Sequence, residues 1–242
     1  MRTSIARWAR YGGLAIGLAA ATAGSAAANP VNPAADVTLA DVEASNAKVQ
    51  EAYQALATMW SHDLREAGAR FVVPGIARYR GNVRSACGVM PANNAVYCPQ
   101  RNTIYYDDVF VARQAKAASN QLGTDGDMAA VGIIAHEMGH AVAIQLRQDS
   151  PIPYENEAMA DCLAGVFTRE SARNGSLEKG DLEEAFFGLA AAGDPTPQFT
   201  GDRRMDRRIA TRAALMGHGT RDQRLANFRT GYDNGTQSCF PD

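Results

Sequence analysis

Two histidines, His136 and His140, flank Glu137 in the segment His136-Glu137-Met138-Gly139-His140. Residues at positions i and i+4 of a helix project from the same face, so both imidazoles can bind one cation. In this HExxH pattern the glutamate stands beside the open coordination position, where a water molecule can be activated. We therefore predict that His136 and His140 bind one zinc ion per chain and that Glu137 is a catalytic general base.

The residues around this segment favour a metal site over a chance match. Mostly apolar residues occupy positions 128–135 before it and 141–146 after it. Polar side chains inside such an apolar helix need partners. Histidines satisfied by backbone carbonyls would leave Glu137 unexplained, whereas a bound metal accounts for all three polar side chains.

A carboxylate pair downstream, Glu157 and Asp161, repeats the four-residue spacing within residues 154–173, whose apolar positions have helical periodicity. Catalytic zinc keeps three protein ligands and leaves the fourth position to water. We predict that Glu157 is the third ligand and that Asp161 accepts the free ring N–H of a ligating histidine. A solvated acidic face is the alternative, and Glu155 is a competing carboxylate that lacks an acidic partner four residues on.

With these motifs the chain resembles the bacterial neutral zinc metallopeptidases, a family of membrane-anchored or exported proteins with a zincin-like site. The resemblance runs from Cys87 to Cys239 and rests on separate blocks in the same order: Cys87-Gly88, Tyr97-Cys98-Pro99, Ile104-Tyr105-Tyr106-Asp107, residues 134–140, residues 157–166, and His218-Gly219-Thr220 with Gln223-Arg224, Phe228 and Gly231-Tyr232. The chain departs from the family at residues 141–143 and 158–159. Neither departure touches a proposed ligand, but both affect substrate-side contacts.

The resemblance implies an α+β, mostly helical, zincin-like metallopeptidase domain with a small β-sheet before the HExxH helix. The residues agree with this, because 41–69 have the spacing of an amphipathic helix and aromatic or β-branched runs predict short strands at 71–74, 96–98 and 103–106.

His218 lies between two glycines in the turn Gly217-His218-Gly219. An imidazole on a loop can swing over a metal site and hydrogen-bond the oxyanion that forms when water attacks a carbonyl. A helix-capping or salt-bridged histidine is the alternative. The resemblance supports a catalytic role for His218, with Tyr105 as a weaker candidate for the same task.

The N-terminus has the features of an export signal. Three arginines precede a short apolar run over 14–23, and small residues over 25–28 suit cleavage after Ala28. An uncleaved membrane anchor is the alternative, although the run is shorter than the roughly 20 apolar residues of a membrane-spanning helix. We predict a signal peptide over 1–28, a linker over 29–40 and one domain over 41–242, exported to the periplasm or the extracellular space.

Four cysteines in an exported chain predict two disulfides. Of the three possible connectivities we favour Cys87 with Cys98, which closes a small loop, and Cys162 with Cys239, which fixes the C-terminal segment to the helix of Glu157. Cysteine-ligated zinc is the alternative, but no pair has C-x-x-C spacing.

The charge pattern gives no indication of a polyanionic partner. The formal net charge is −2, and removal of the three signal-peptide arginines makes it −5, so we expect no attraction to nucleic acid or to an anionic membrane. The expected partner is a peptide or protein substrate, and we expect no stable membrane insertion once the signal is cleaved. Five arginines within residues 203–212 could form a nucleic-acid patch. Asp202 and Asp206 lie among them and no aromatic stacking residues accompany them, so we expect a surface helix whose buried side includes Met205, Ile209 and Leu215. The sequence indicates no oligomeric state.

Three functions fit these residues. The first is an exported zinc peptidase, the second a zinc-dependent hydrolase of a cell-wall amide, and the third a non-catalytic binding module stabilised by the metal. Glu137 argues against the third function, because a structural metal site has no need of a general base.

Overall fold

The structure of the protein, a computed structural model, describes residues 37–240. These residues form an α+β fold that is mostly helical, with a small sheet before the HExxH helix, as the sequence predicts. The helices are α1 (Leu39–Glu66), α2 (Asp108–Leu122), α3 (Asp127–Gln145), α4 (Pro153–Arg173), α5 (Asp181–Ala191), α6 (Arg203–Met216) and α7 (Arg221–Asn234), followed by a 3₁₀ helix over Thr236–Cys239. The strands are β1 (Gly75–Tyr79), β2 (Val83–Ser85), β3 (Gly88–Met90), β4 (Ala95–Cys98) and β5 (Thr103–Asp107).

Three of the strands form a mixed sheet in the order β1-β5-β4. β5 pairs in parallel with β1 and antiparallel with β4, while β2 and β3 form a separate antiparallel pair. β4 therefore lies at an edge of the sheet, where it contacts α3.

The prediction of a strand at 71–74 is wrong, because the first strand of the sheet begins at Gly75. The backbone of Val72 is bonded by a side chain and not by a neighbouring strand: its N–H donates to Gln145 Oε1 at 2.8 Å and its carbonyl accepts from Gln145 Nε2 at 2.9 Å. Asn102 Nδ2 also donates to this carbonyl, at 3.0 Å. The segment thus lies outside the ladder.

The helix α3 lies at the centre of the core and packs against α1, α2, α4 and α5. Most of its residues are buried, as expected for a helix that is apolar around its circumference. The largest fully buried side chains around it include Trp60, Tyr106 and Phe228. Burial of one such side chain stabilises the fold by roughly 1.5–3 kcal/mol.

Glycines allow two pairs of helices to cross at close range. A Cβ at Gly139 of α3 would lie 2.8 Å from the carbonyl oxygen of Ala160 in α4. Between α4 and α7 the approach is closer still, since a Cβ at Gly165 would lie 2.0 Å from the carbonyl oxygen of Phe228, and one at Gly231 would lie 1.8 Å from that of Cys162. Side chains of α3, α4 and α7 can therefore meet around one point.

The four cysteines form two disulfides, Cys87–Cys98 and Cys162–Cys239. These are the pairs that the sequence favours. The first joins the segment before β3 to the end of β4, and the second joins the 3₁₀ helix to α4. No cysteine is free, so a cysteine-ligated zinc is excluded.

The predicted signal peptide, residues 1–28, and most of the predicted linker lie outside the described residues. The first helix begins at Leu39, two residues before the predicted domain boundary, because Thr38 and Asp41 form a capping box there. Across residues 37–240, no helix combines the length and the apolar character needed to cross a membrane.

Candidate metal centre

The structure brings His136, His140 and Glu157 together. His136 Nε2 lies 3.1 Å from His140 Nε2, and the Glu157 oxygens lie 3.2 Å from the first and 3.5 Å from the second. The two histidines occupy one face of α3, and Glu157 reaches them from the first turns of α4. The close crossing of the two helices at Gly139 makes this approach possible.

These separations fit one zinc ion. For bonds of about 2.0–2.1 Å in tetrahedral geometry, ligand atoms lie roughly 3.3–3.4 Å apart. The three measured separations fall close to that value, and the donor set of two imidazoles and one carboxylate is one that catalytic zinc uses. The residues present therefore fit the metal, and the carboxylate of Glu137 is not part of the ligand cluster.

Asp161 orients one of the two histidines. His136 Nδ1 lies 2.8 Å from Asp161 Oδ1, and because a carboxylate only accepts, Nδ1 carries the proton and donates. This leaves Nε2 directed toward the other two ligand atoms. Asp161 is fully buried, so its charge requires compensation inside the protein.

Arg224 supplies that compensation, and we did not predict this from the sequence. Its guanidinium reaches from α7 and donates to Asp161 at 2.6 Å and 3.0 Å, while its Nη1 donates to the carbonyl of Ala192 at 3.2 Å. Only 5% of Arg224 is exposed. The one available signal was its place in a block of the family resemblance, which did not indicate its partner.

The charges around His136, His140 and Glu157 favour a positive charge between their ligand atoms. Burial lowers the pKa of His136, but the hydrogen bonds to Asp161 and Glu157 outweigh burial and raise it to about 10. For Glu157, burial acts to raise the pKa, yet the hydrogen bonds from His136 and His140 bring it below its usual range. A divalent cation would displace the proton of His136, so metal affinity should fall as the pH is lowered.

Glu137 lies beside the ligand cluster and is held by the edge strand. Its Oε2 accepts the backbone N–H of Tyr97 in β4 at 2.7 Å. The residue is 7% exposed and contributes to the wall of the cleft described next. The strand thus fixes one carboxylate oxygen, and no side-chain motif in the sequence pointed to this donor.

The ligands and Glu137 open into a cleft of about 590 Å³. This volume lies within the range of small-molecule and peptide pockets. Residues 93–97 contribute to its lining, as do Gly188, Leu189 and Ala192. Ile133 and Ile144 of α3 add apolar surface, so the cleft combines an apolar lining with a cluster of polar groups.

His218 also lines this cleft, but its side chain is 63% exposed. Its Nδ1 lies 3.7 Å from Asp194 Oδ1, and Asp194 Oδ2 accepts the backbone N–H of Gly219 at 3.1 Å. A Cβ at Gly217 would lie 2.7 Å from Asp194 Oδ2, and one at Gly219 would lie 2.8 Å from a tyrosine ring. Gly217 therefore allows the loop to lie close to Asp194, and Gly219 allows it to lie close to the ring of Tyr154, while His218 is exposed to solvent.

Two other candidates from the sequence lie elsewhere. Tyr105 packs in a small cluster with Tyr79 and Cys98 and is absent from the cleft lining, so it is not placed to hydrogen-bond an oxyanion there. Glu155 accepts a hydrogen bond from Ser150 Oγ and does not join the ligand cluster.

Four further carboxylates gather at the N-terminus of α3: Asp125, Asp127, Asp181 and Glu184. Glu184 accepts the backbone N–H groups of Gly126 and Met128, both at 2.9 Å, and so caps the helix. Asp127 pairs with Lys48 at 2.9 Å. This group of carboxylates therefore stabilises the start of the HExxH helix.

Comparisons with known proteins agree with the geometry. Two curated relatives, each named "Uncharacterized protein YpfJ", come from Escherichia coli strain K12 and strain O6:H1 (CFT073) and are 33% identical over 192 residues. The aligned region covers 73% of this chain and 63% of each relative, so the chain spans less than two thirds of their length. No solved structure matches it. A family model described as "Putative neutral zinc metallopeptidase" matches residues 13–240, and the chain belongs to that family.

Proposed function

We propose that the protein is an exported zinc-dependent metallopeptidase that hydrolyses peptide bonds. The observation that carries the proposal is the placement of Glu137 beside the cluster of His136, His140 and Glu157 in one cleft. Three ligands leave one coordination position for water, and a carboxylate outside the ligand set is positioned to act on that water.

A bound zinc ion would supply Lewis acidity, which lowers the pKa of water towards 7 and polarises the scissile carbonyl. Glu137 accepts the proton of the attacking water and passes it to the leaving amine. The amide of Tyr97 fixes one carboxylate oxygen of Glu137, so the other is directed to this task. His136, His140 and Glu157 hold the metal and take no part in proton transfer.

His218 is proposed as the donor to the oxyanion. Its loop borders the cleft, its imidazole is exposed, and the backbone behind it is held by Asp194. A rotation of the side chain toward the cleft would let its N–H stabilise the developing negative charge. His218 needs no metal bond for this role.

Export is proposed on two grounds. The chain has two disulfides. Disulfides persist in oxidising compartments and are rare in proteins of reducing ones. The features of residues 1–28 are those of a signal peptide. We place the metallopeptidase domain over 41–242.

The test compares wild-type protein with Glu137→Gln on mixed peptides and on purified peptidoglycan, each with and without chelator. General acid–base catalysis is worth about 10²-fold to 10⁴-fold, so the variant should retain zinc and lose at least 10²-fold of the hydrolysis. Equal hydrolysis by both proteins would overturn the role of Glu137. Chelator-sensitive cleavage of peptidoglycan in place of peptides would overturn the assigned substrate class.

A second variant tests the oxyanion donor. His218→Ala should retain zinc and lower turnover by about 10²-fold to 10³-fold, as expected for loss of one such donor. His62→Ala is the matched control, because His62 is also exposed but does not line the cleft. Equal turnover in the two variants would remove His218 from the mechanism.

A further inference from the structure

The helix α6 carries a dense group of exposed arginines. All five side chains project into solvent: Arg203, Arg204, Arg207, Arg208 and Arg212. Within residues 37–240, none of the five forms an ion pair with a carboxylate. Apart from these arginines the chain has an excess of acidic residues, so the positive charge is concentrated on one helix.

The two acidic residues of this segment are occupied by backbone groups. Asp202 caps α6 and accepts the N–H groups of Arg204 and Met205. Asp206 accepts the N–H groups of Thr200 and Gly201. Their carboxylates therefore stabilise the start of the helix and do not pair with the arginine side chains.

Large apolar side chains are exposed next to the arginines. Met205 is 47% exposed and Leu215 is 51% exposed, so the expected burial of these two residues is wrong. Phe199, just before the helix, is 60% exposed. The described part of the chain has seven exposed large apolar residues, and these three of them fall within only 17 consecutive positions. Exposed apolar surface is therefore concentrated next to the arginines.

The spacing places charge and apolar surface on one side of α6. Met205, Arg208, Arg212 and Leu215 follow one another at intervals of three, four and three residues, which puts them along one face. Ile209 and Ala213, on another face, are partly buried where α6 packs on α4. We call the exposed side, with its five arginines, Met205 and Leu215, the arginine face.

We propose that the arginine face docks the protein onto the surface of an anionic phospholipid bilayer. Guanidinium groups bind lipid phosphates in a bidentate manner. Their aliphatic stems and the neighbouring Met205 and Leu215 can enter the boundary between headgroups and acyl chains. A nucleic acid would satisfy the arginines but would leave these apolar side chains in water, so the lipid surface fits better.

The geometry suits attachment along the plane of the membrane. A helix of 14 residues is about 21 Å long, so several lipid headgroups can contact its arginines at once. One basic residue near an anionic surface strengthens binding by about 5-fold. The proposal is independent of zinc binding and of peptidase activity.

The test measures co-sedimentation of the exported protein, with the signal peptide removed, with vesicles of phosphatidylglycerol and phosphatidylcholine, and with vesicles of phosphatidylcholine alone. Binding should require the anionic lipid. It should also weaken when salt is raised from 0.1 M to 1 M, because the screening length falls from about 10 Å to about 3 Å. Equal binding to both vesicle types would overturn the proposal.

The variant Arg204→Gln/Arg208→Gln/Arg212→Gln should bind the anionic vesicles about 100-fold more weakly, from three contributions of about 5-fold each. The control Arg65→Gln/Arg70→Gln/Arg101→Gln removes the same charge from exposed positions outside α6 and should bind nearly as well as wild type. Circular dichroism and zinc content establish that both variants are folded. Equal weakening in the two variants would reduce the effect to net charge and overturn the assignment to α6.

A further variant, Met205→Ser/Leu215→Ser, keeps every arginine and should weaken vesicle binding without altering its salt dependence. Binding of the wild type to duplex DNA but not to anionic vesicles would identify a different class of partner and would also overturn the proposal.

Discussion

Arg224 of α7 donates hydrogen bonds to both carboxylate oxygens of Asp161 in α4, with Nη2–Oδ1 at 2.6 Å and Nε–Oδ2 at 3.0 Å. The same Oδ1 accepts from His136 Nδ1 at 2.8 Å. One buried carboxylate thus connects a buried cation to a proposed metal ligand. Its position depends on three helices, α3, α4 and α7.

Replacement of Arg224 by methionine should therefore destabilise the fold. Loss of one partner leaves the charge of Asp161 buried without compensation, which costs about 3–5 kcal/mol. Urea unfolding at pH 7 measures this loss. The double variant Arg224→Met/Asp161→Asn should be less destabilised than the sum of the single variants, because it removes both charges. Arg221→Met, an exposed position on α7, is the control and should change little; strict additivity of the single variants would contradict the coupling.

The zinc affinities of variants should distinguish the metal ligands from the residues that support them. Elemental analysis should find about one zinc ion per wild-type chain, and His140→Ala should lose it. Glu157→Ala should weaken binding strongly, whereas Asp161→Asn should weaken it by about 10-fold to 100-fold. Competition with a chromogenic chelator gives the affinities. Glu155→Ala is the control with unchanged affinity, and equal losses for Glu157→Ala and Asp161→Asn would mean that the ligand assignment is wrong.

The two disulfides should contribute unequally to stability. Cys162–Cys239 spans 77 residues and Cys87–Cys98 spans 11. In the chain-entropy treatment these loops correspond to about 4.5 and about 2.8 kcal/mol. Urea unfolding of Cys162→Ala/Cys239→Ala and of Cys87→Ala/Cys98→Ala tests the difference, after non-reduced peptide mapping has verified the pairs. A larger loss from the shorter loop would contradict the entropic account.

Asp181 should make the stability depend on pH. Burial, with Asp127 and Glu184 nearby, raises its pKa to about 6 from an unfolded value near 3.8. The folded state therefore binds more protons in this window, so the contribution of Asp181 to stability is greatest below about pH 4 and is lost as the pH rises through about 6. Asp181→Asn should be more stable than wild type at pH 7.5, and the gain should shrink at pH 4.5.

Thermal unfolding at the two pH values measures this effect. Glu183→Gln is the matched control, because Glu183 is exposed on the same helix and should alter stability little at either pH. The same gain for Asp181→Asn at both pH values would show that protonation is not its cause.

The sequence predicted best those parts of the site in which spacing within one helix determines geometry. His136 with His140, and Glu157 with Asp161, share helix faces because they are four residues apart. Arg224 could not be paired with Asp161 in this way, since 63 residues separate them and only the packing of α7 on α4 brings them together. The Tyr97 donor was missed because a backbone N–H has no side-chain signature.

The same distinction between local spacing and contacts distant in sequence applies to the prediction of the fold. The helices at 41–69 and 154–173 were predicted to within a few residues of α1 and α4, because their apolar periodicity is local, whereas α2 was not predicted. The prediction of a strand at 71–74 was wrong, since side chains of Gln145 and Asn102, distant in sequence, bind the backbone of that segment. Likewise, the position of Asp206 among arginines did not reveal its partners, which are the backbone N–H groups of Thr200 and Gly201 just before the helix.

We expect the bond between Asp161 and Arg224 to impose an order on the folding of the chain. A growing polypeptide displays His136, His140 and Glu157 long before α7 has been made. Until α7 docks, Asp161 has no buried cation opposite it, and a lone charge at a fully buried position opposes closure of α4 onto α3. We therefore expect the cluster of His136, His140 and Glu157 to form only after the C-terminal helices are present.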